Sequence, residues 1–356
     1  MSTNLNILYI GSPYYHHNRE RFTKKITKIL SHHARKLCVV GANEPISCSS
    51  VVWIESIIEQ DKKGLVRYYK FLQKQLESIA HPKIRTFDYD VIIVRPSSYI
   101  IPVLYNRILS CPEVTIVTQV TRNPLQNILT KLNFEFSKGL IVETKSVAGD
   151  WNADRHWKKI FEGPTYVDSL SYWCEAPYST RDLTVGYVGM LDKRKGVDKF
   201  LPASQDIIEG NSGIELRIGG TGPLQELTVQ YANKTDGIEY LGFIDQSDML
   251  EFYNGLQLLV LPTNSEGLPN VALEAMACGT PVLATPVGGL PDIIEDGETG
   301  FLMEDNDPET IRENVKRALS HPNREQISAN ARELIEEEYR FESAVKRYER
   351  ILEELT

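Results

Sequence analysis

The chain has 356 residues, 42% of them hydrophobic and 24% charged, with a net charge of −9. That length and balance fit a soluble globular protein of about two domains, and no run approaches the roughly 18–20 consecutive apolar residues of a membrane span. Five cysteines, scattered and without C-x-x-C spacing, argue for reduced thiols and against a disulfide framework or a zinc site.

The charge is unevenly placed. Residues 1–170 carry 23 Lys+Arg against 15 Asp+Glu, and the remainder carries 16 against 33. A basic first half beside an acidic second half suggests that the first faces an anionic surface or substrate, unless the drift has no consequence. The opening "MSTNLNILYIGS" has no basic region ahead of its short apolar stretch and does not read as a signal peptide. The expected location is therefore cytoplasmic.

In chain order, "LNILYI", "LCVVG", "DVIIV", "VTIVTQ" and "GLIVET" read as buried parallel strands. Between the first two lies "NRERFTKKITKILSHHARKL", with Phe22, Ile26, Ile29 and Leu30 at helical spacing. Arg21, Lys24, Lys25 and Lys28 crowd the rest of that helix. It is either an ordinary helix packed on a sheet or one that also presents its lysines to an anionic membrane. A polar, Pro-containing seam, "YWCEAPYSTRDLT", precedes a second series: "VGYVG", "ELRIGG", "IEYLGF", "LQLLVLP" and "TPVLATP". Strands alternating with helical periodicity indicate α/β domains with parallel sheets covered on both faces. The expected division is 1–175 and 176–338, each with about five strands in a doubly wound, Rossmann-like domain, followed by an amphipathic helix over 339–356. Doubly wound domains bind ligands at the carboxyl ends of their strands.

The stretch "NSEGLPNVALEAM" places Glu266 and Glu274 eight residues apart, around a turn and a helix start. Pro269 suits the first turn, Gly279 can end the helix, and the amides of Asn270, Val271 and Ala272 are left unpaired at its N-terminus. Such an end attracts phosphate. Carboxylates repel phosphate but accept hydrogen bonds from vicinal hydroxyls, so two of them around a phosphate site describe a nucleotide sugar. The plain alternative is that Glu274 complements the helix dipole and Glu266 is a solvated loop residue. A glycosidase-like acid/base pair and a metal site fit less well.

The segment "EGLPNVALEAMACGTPVLATPVGGLPDIIEDGETGFL" resembles the signature region of family 4 retaining glycosyltransferases, whose two glutamates match Glu266 and Glu274. "GYVGMLDKRKGVD", "LRIGGTGPLQEL" and "IEYLGFIDQSDMLEFY" resemble further motifs of that family, in the same order. The resemblance implies the GT-B fold: two Rossmann-like domains facing a central cleft, with the last helix crossing back to the first. It implies that Glu266 binds donor-sugar hydroxyls, Glu274 the ribose hydroxyls, and the amides near Asn270 and Val271 the diphosphate, with Gly267, Leu268 and Arg194 among the donor-binding residues. Lys195 matches the lysine that neutralises the leaving phosphate. Gly220 lies near the donor, and Phe243 and Ile244 match the segment that reads the base. The family arginine falls on Met190, a departure for which Lys193 or Arg194 would have to compensate. Gly288 and Gly289 shape a turn. In the first half the likeness is loose. Gly11, His16, His17 and Gln119 are the acceptor-side candidates, with Gln119 near the position where the family often has a histidine.

The expected function is a retaining glycosyltransferase. It would move a sugar from a UDP- or GDP-sugar to a glycan or lipid-linked acceptor, in cell-surface polysaccharide or glycolipid synthesis. No metal or other cofactor is expected, and no nucleic acid. Peripheral contact of the basic half with the inner face of the membrane is the further expectation. The alternatives are a catalytically idle nucleotide-sugar-binding partner subunit and, lower, a Rossmann dehydrogenase, for which no G-x-G-x-x-G follows the first strand.

Overall fold

The computed structural model of the chain describes residues 4–11, 17–41, 51–55, 81–82, 88–94, 113–117, 131, 134, 137–151, 160–168, 171–175, 177–210 and 213–356. It divides into two units, residues 1–166 with 341–356, and residues 167–340.

Among the described residues, the first unit is built on seven parallel strands: β1 (Leu5–Ile10), β2 (Ala34–Gly41), β3 (Val51–Glu55), β4 (Val91–Val94), β5 (Glu113–Val117), β6 (Gly139–Val142) and β7 (Ile160–Glu162). Their order across the sheet is β3-β2-β1-β4-β5-β6-β7. Side chains alternate across a strand, and β1 shows the result. Ile7 and Tyr9 pack with α1 (His17–Ser31), while Leu8 and Ile10 join Cys38, Val40, Ile92 and Val94 on the other face. Burial on both faces is why these strands read as unbroken apolar runs. A short helix, α2 (Lys145–Asp150), follows β6.

Phe22, Ile26, Ile29 and Leu30 of α1 are all buried, as their spacing predicts. The basic side of α1 differs from the expectation. Lys25 is itself buried, with Nζ 5.6 Å from the centre of the Tyr166 ring. Lys28 Nζ lies 4.7 Å above Phe341. Two of the four cations thus sit over aromatic faces, an attraction of electrostatic origin.

The second unit carries six parallel strands: β8 (Thr184–Val188), β9 (Glu215–Gly219), β10 (Ile238–Gly242), β11 (Leu258–Leu261), β12 (Val282–Ala284) and β13 (Phe301–Leu302). Their order is β10-β9-β8-β11-β12-β13. Its helices are α3 (Val197–Gly210), α4 (Gln225–Lys234), α5 (Met249–Asn254), α6 (Asn270–Ala277), α7 (Pro308–Ser320) and α8 (Arg324–Glu338). Leu258 and Val260 face the α3 and α7 side of the sheet, and Leu259 and Leu261 the α6 side. The last helix, α9 (Phe341–Leu355), belongs to the first unit, where it packs on α1 and buries Ala344, Tyr348, Ile351 and Leu352. Its Tyr348 hydroxyl donates to the Gly163 carbonyl at 2.9 Å.

The units meet the chain earlier than the sequence suggests. Residues after Tyr166 already belong to the second unit: Val167 N donates to Tyr339 O at 2.8 Å, and the Tyr172 ring lies 5.9 Å from that of Tyr253. The return break falls at Arg340/Phe341. The strand counts also exceed five per unit. The additional strands β3, β7 and β13 all lie at sheet edges; β7 and β13, of three and two residues, are too short for a period to show, whereas β3 has five. Among the described residues, no helix is long and apolar enough to cross a membrane.

Candidate functional site

In the second unit the sheet order reverses between β8 and β11. The chain leaves β8 toward β9 and β10, then returns to lay β11 on the other side of β8. Doubly wound sheets bind ligands at the carboxyl ends of the strands at such a switch point. After β8 comes a one-turn 3-10 helix, Lys193–Lys195. After β11 comes the loop that carries Glu266 and leads into α6.

These two loops are stitched together. Asp192 accepts from the Lys195 amide at 2.8 Å, fixing the turn. Asn264 N donates to Arg194 O at 2.9 Å, and Asn264 Nδ2 to Lys193 O at 2.9 Å. Asn306 Nδ2 donates to Pro262 O at 2.9 Å and to Asn264 Oδ1 at 3.1 Å. Thr285 donates its hydroxyl proton to Thr263 O. The backbones also touch. Gly196 has φ +72°, and a Cβ there would lie 1.8 Å from Pro262 O. Gly288 has φ +58°, and its Cβ would lie 2.2 Å from Glu266 O, while Gly289 N donates to Gly267 O at 2.7 Å. The Gly288–Gly289 turn is therefore the support under the Glu266 loop.

Held this way, the Lys195 ammonium and the Glu266 carboxylate form an ion pair, with 19% and 11% of the side chains exposed. Arg194 sits beside them. Its Nε is 3.9 Å from Asp192 Oδ2, and Nη1 donates to Ser265 O at 3.4 Å. It ties the two loops together. Met190, where the resembled family has arginine, is 41% exposed, and Lys193 is exposed too.

Helix α6 has Pro269 at its N-cap position, in extended backbone. Its first amides are those of Asn270 and Val271. The Ala272 amide, expected to be open, donates to Pro269 O at 3.1 Å. Ala272, Leu273, Ala275 and Met276 are buried, and burying Leu273 and Met276 contributes about 1.5–3 kcal/mol each. Gly279, at φ +70°, ends the helix as its position suggested. Beyond it, buried Arg181 donates to Cys278 O at 2.6 Å, Thr280 Oγ1 at 2.7 Å and Leu256 O at 3.0 Å. A cation at this end complements the helix dipole. Burial pushes the Cys278 thiol up to about 12, so it stays protonated.

Glu274 differs from the picture of an open carboxylate. It is 1% exposed, and its Oε2 accepts from the Tyr253 hydroxyl at 3.1 Å. Tyr253 comes from α5 and is fully buried. Leu268 is likewise a core residue, and Val271 and Ile244 are half-buried against the same core. Phe243, next to Ile244, is 69% exposed. Gly220 N donates to Gly242 O at 2.6 Å, and Gly220 O accepts from the Tyr240 hydroxyl at 2.9 Å. That places the glycine turn after β9 against the end of β10.

In the first unit, Gly11 ends β1 and donates its amide to Val40 O at 2.8 Å. His17 opens α1. His16 and Gln119 lie outside the described residues. Sequence reasoning missed Tyr253, Asp192 and Arg181. Only Asp192 had a local signal, as an acidic residue three before Lys195 in a capping arrangement.

Two parallel-sheet α/β units, the second with a switch point between β8 and β11, have the GT-B fold. Sucrose-phosphate synthase from Thermosynechococcus elongatus shares the fold with TM-score 0.76 and 19% identity, over 99% of each chain. Anabaena HepE, solved in complex with UDP and glucose, gives TM-score 0.74 at 15% identity, over 99% of this chain and 100% of that one. Residues 182–321 match the family described as glycosyl transferases group 1. The capsular polysaccharide biosynthesis glycosyltransferase CapM of Staphylococcus aureus is 31% identical over 169 residues, 44% of this chain and 42% of its own length. A D-inositol 3-phosphate glycosyltransferase of Thermobifida fusca is 30% identical over 156 residues, 40% of this chain and 36% of its own. The chain thus spans under half the length of these curated relatives.

Proposed function

We propose that the protein transfers a sugar from a nucleotide-diphosphate sugar to a glycan or lipid-linked acceptor, with retention of anomeric configuration, in cell-surface polysaccharide or glycolipid synthesis. The observation that carries this reading is the Lys195–Glu266 pair, held at the switch point beside the first turn of α6. A UDP-sugar is the donor class to test first, because HepE is recorded with UDP and glucose, and GDP-sugars come second.

The donor diphosphate docks on the amides of Asn270 and Val271, beside the Lys195–Glu266 pair. Its sugar hydroxyls donate to Glu266, and its ribose hydroxyls to Glu274, whose carboxylate Tyr253 orients. As the glycosidic bond breaks, negative charge grows on the leaving phosphate. Lys195 then turns from Glu266 toward that oxygen, a contact stronger in the transition state than in the ground state. The departing phosphate oxygen takes the acceptor hydroxyl's proton on the same face, and no step needs a metal. The first unit is left to bind the acceptor, with Gly11 and the start of α1 as its expected contacts.

A panel of UDP- and GDP-sugars, assayed with glycan and lipid-linked acceptors for nucleoside diphosphate release, tests the reading. The anomeric configuration of the product, read by NMR, tests retention. Donor binding with neither hydrolysis nor transfer would support the idle partner subunit instead, a reading motivated by Met190 in place of arginine and by the missing histidine of the first half.

A further inference from the structure

Away from the Lys195–Glu266 pair, the second unit contains a cavity of about 270 Å³. It lies at the other end of α6, where Ala277 meets α8 and the segment that opens the unit. Its floor is apolar: Val167, Tyr172, Ala277 and Ile335 are all buried. One wall is Trp173, 45% exposed, a large flat surface that the core does not use.

The rest of the lining is Cys174 and three charged side chains. Arg332 Nε lies 3.2 Å from Glu336 Oε1, and Arg340 Nη2 lies 3.1 Å from Glu336 Oε2. One carboxylate between two guanidinium groups leaves this wall with a net positive charge. The two guanidinium groups approach different oxygens of Glu336, and a guanidinium has five N–H donors. Two planar donors converging beside an apolar floor suit a carboxylate or phosphate carried on a flat apolar body. The space has room for a small single-ring molecule with one anionic group.

We infer that this cavity is a binding site for a small organic monoanion with a flat apolar body, separate from the donor site. The ring rests on Trp173 and the apolar floor, and the anion takes the donors of Arg332 and Arg340. The site touches both places where the chain passes between units. Val167 and Arg340 line it, and Val167 N is bonded to Tyr339 O at 2.8 Å. An occupant therefore stabilises the segments that begin and end the second unit. Binding to the folded state alone raises the melting temperature by mass action.

The probe is benzoate, with benzyl alcohol and benzamidine as the neutral and cationic controls, titrated into the full chain and followed by calorimetry and thermal melting. Benzoate should bind saturably and raise the melting temperature, and the two controls should not. Arg332→Gln and Arg340→Gln, both at partly exposed positions, should each weaken benzoate about tenfold, the loss of one charge-assisted hydrogen bond. Trp173→Ala should weaken it while leaving the melting temperature of the unliganded protein nearly unchanged. Equal binding of benzoate and benzyl alcohol, no saturable binding of benzoate, or benzoate affinity unchanged in both arginine variants would overturn the inference. Because the readout is binding and melting rather than transfer, the result is independent of the proposed activity.

Discussion

Lys195 and Glu266, 71 residues apart in the chain, form an ion pair that is mostly withdrawn from solvent. Its members come from loops after adjacent parallel strands, so the sheet itself sets their approach. If the pair is the catalytic device, Glu266→Ala and Lys195→Ala should each lower transfer by about 10²–10³-fold, the usual scale for removing one charge-stabilising group. Each should also destabilise the fold by about 1.5–3 kcal/mol, because the surviving charge loses a charge-assisted hydrogen bond. The double variant should be destabilised by less than the sum of the two. Additive losses of stability, or transfer near the wild-type rate in either single variant, would count against the pair.

The backbone support under Glu266 makes a second, sharper demand. Gly288→Ala places a Cβ against the Glu266 carbonyl at a positive φ, and Gly196→Ala does the same against Pro262. Neither can be relieved by turning a side chain, since the obstructing atoms are backbone. Each should lower stability by about 1–3 kcal/mol and reduce transfer by displacing the Glu266 loop. Crystal structures or amide exchange of the Gly288→Ala protein should show the change at Ser265–Leu268. Wild-type exchange there, with wild-type transfer, would remove the support role.

Much of this site was legible because its parts are local. The glutamate spacing, the α6 start, Gly279 and the Lys195 motif lie in two short stretches, and all ten strands named from apolar runs are present. Contacts made by tertiary approach had no such signal. Nothing near Glu274 in the sequence points to Tyr253, 21 residues earlier on another helix. Arg181 reads as a polar seam residue, yet it is buried at the end of α6, 97 residues from its Cys278 acceptor. The edge strands β7 and β13 escaped because two or three residues carry too few alternating positions to reveal a period. The basic face of α1 was visible as charge, but not as cations seated on Tyr166 and Phe341.

Burial separates the two readings of Glu274. Tyr253→Phe removes only the hydroxyl that donates to its Oε2 and should cost about 1–3 kcal/mol, the range for leaving a buried acceptor short of a donor. If the carboxylate also binds ribose, Tyr253→Phe should weaken nucleoside diphosphate binding severalfold, and Glu274→Gln should weaken it more. Both are read by calorimetric titration with UDP and GDP. Nucleotide affinity unchanged in Glu274→Gln, with stability lowered, would leave this residue a structural role alone.

His33 gives the first unit a pH dependence whose direction can be worked out. It is 2% exposed at the start of β2, and its Nε2 donates to the Val345 carbonyl of α9 at 2.9 Å. Burial holds its pKa below the ordinary imidazole value, because the charged ring loses its hydration. The Val345 carbonyl, Glu349 and Glu353 pull the other way, and His32 adds to the lowering. Above the unfolded value of about 6.5 the ring is neutral in both states and folding carries no penalty. As pH falls below it, the unfolded chain takes a proton that the folded one refuses. Stability then falls by up to about 1.4 kcal/mol per pH unit, until the folded value is reached. His33→Gln keeps a donor for Val345 and removes the titration. In denaturant unfolding between about pH 5.5 and 7.5, the wild type should lose stability toward the acid end more steeply than His33→Gln. Parallel pH profiles for the two proteins would show that the seam between β2 and α9 carries no such dependence.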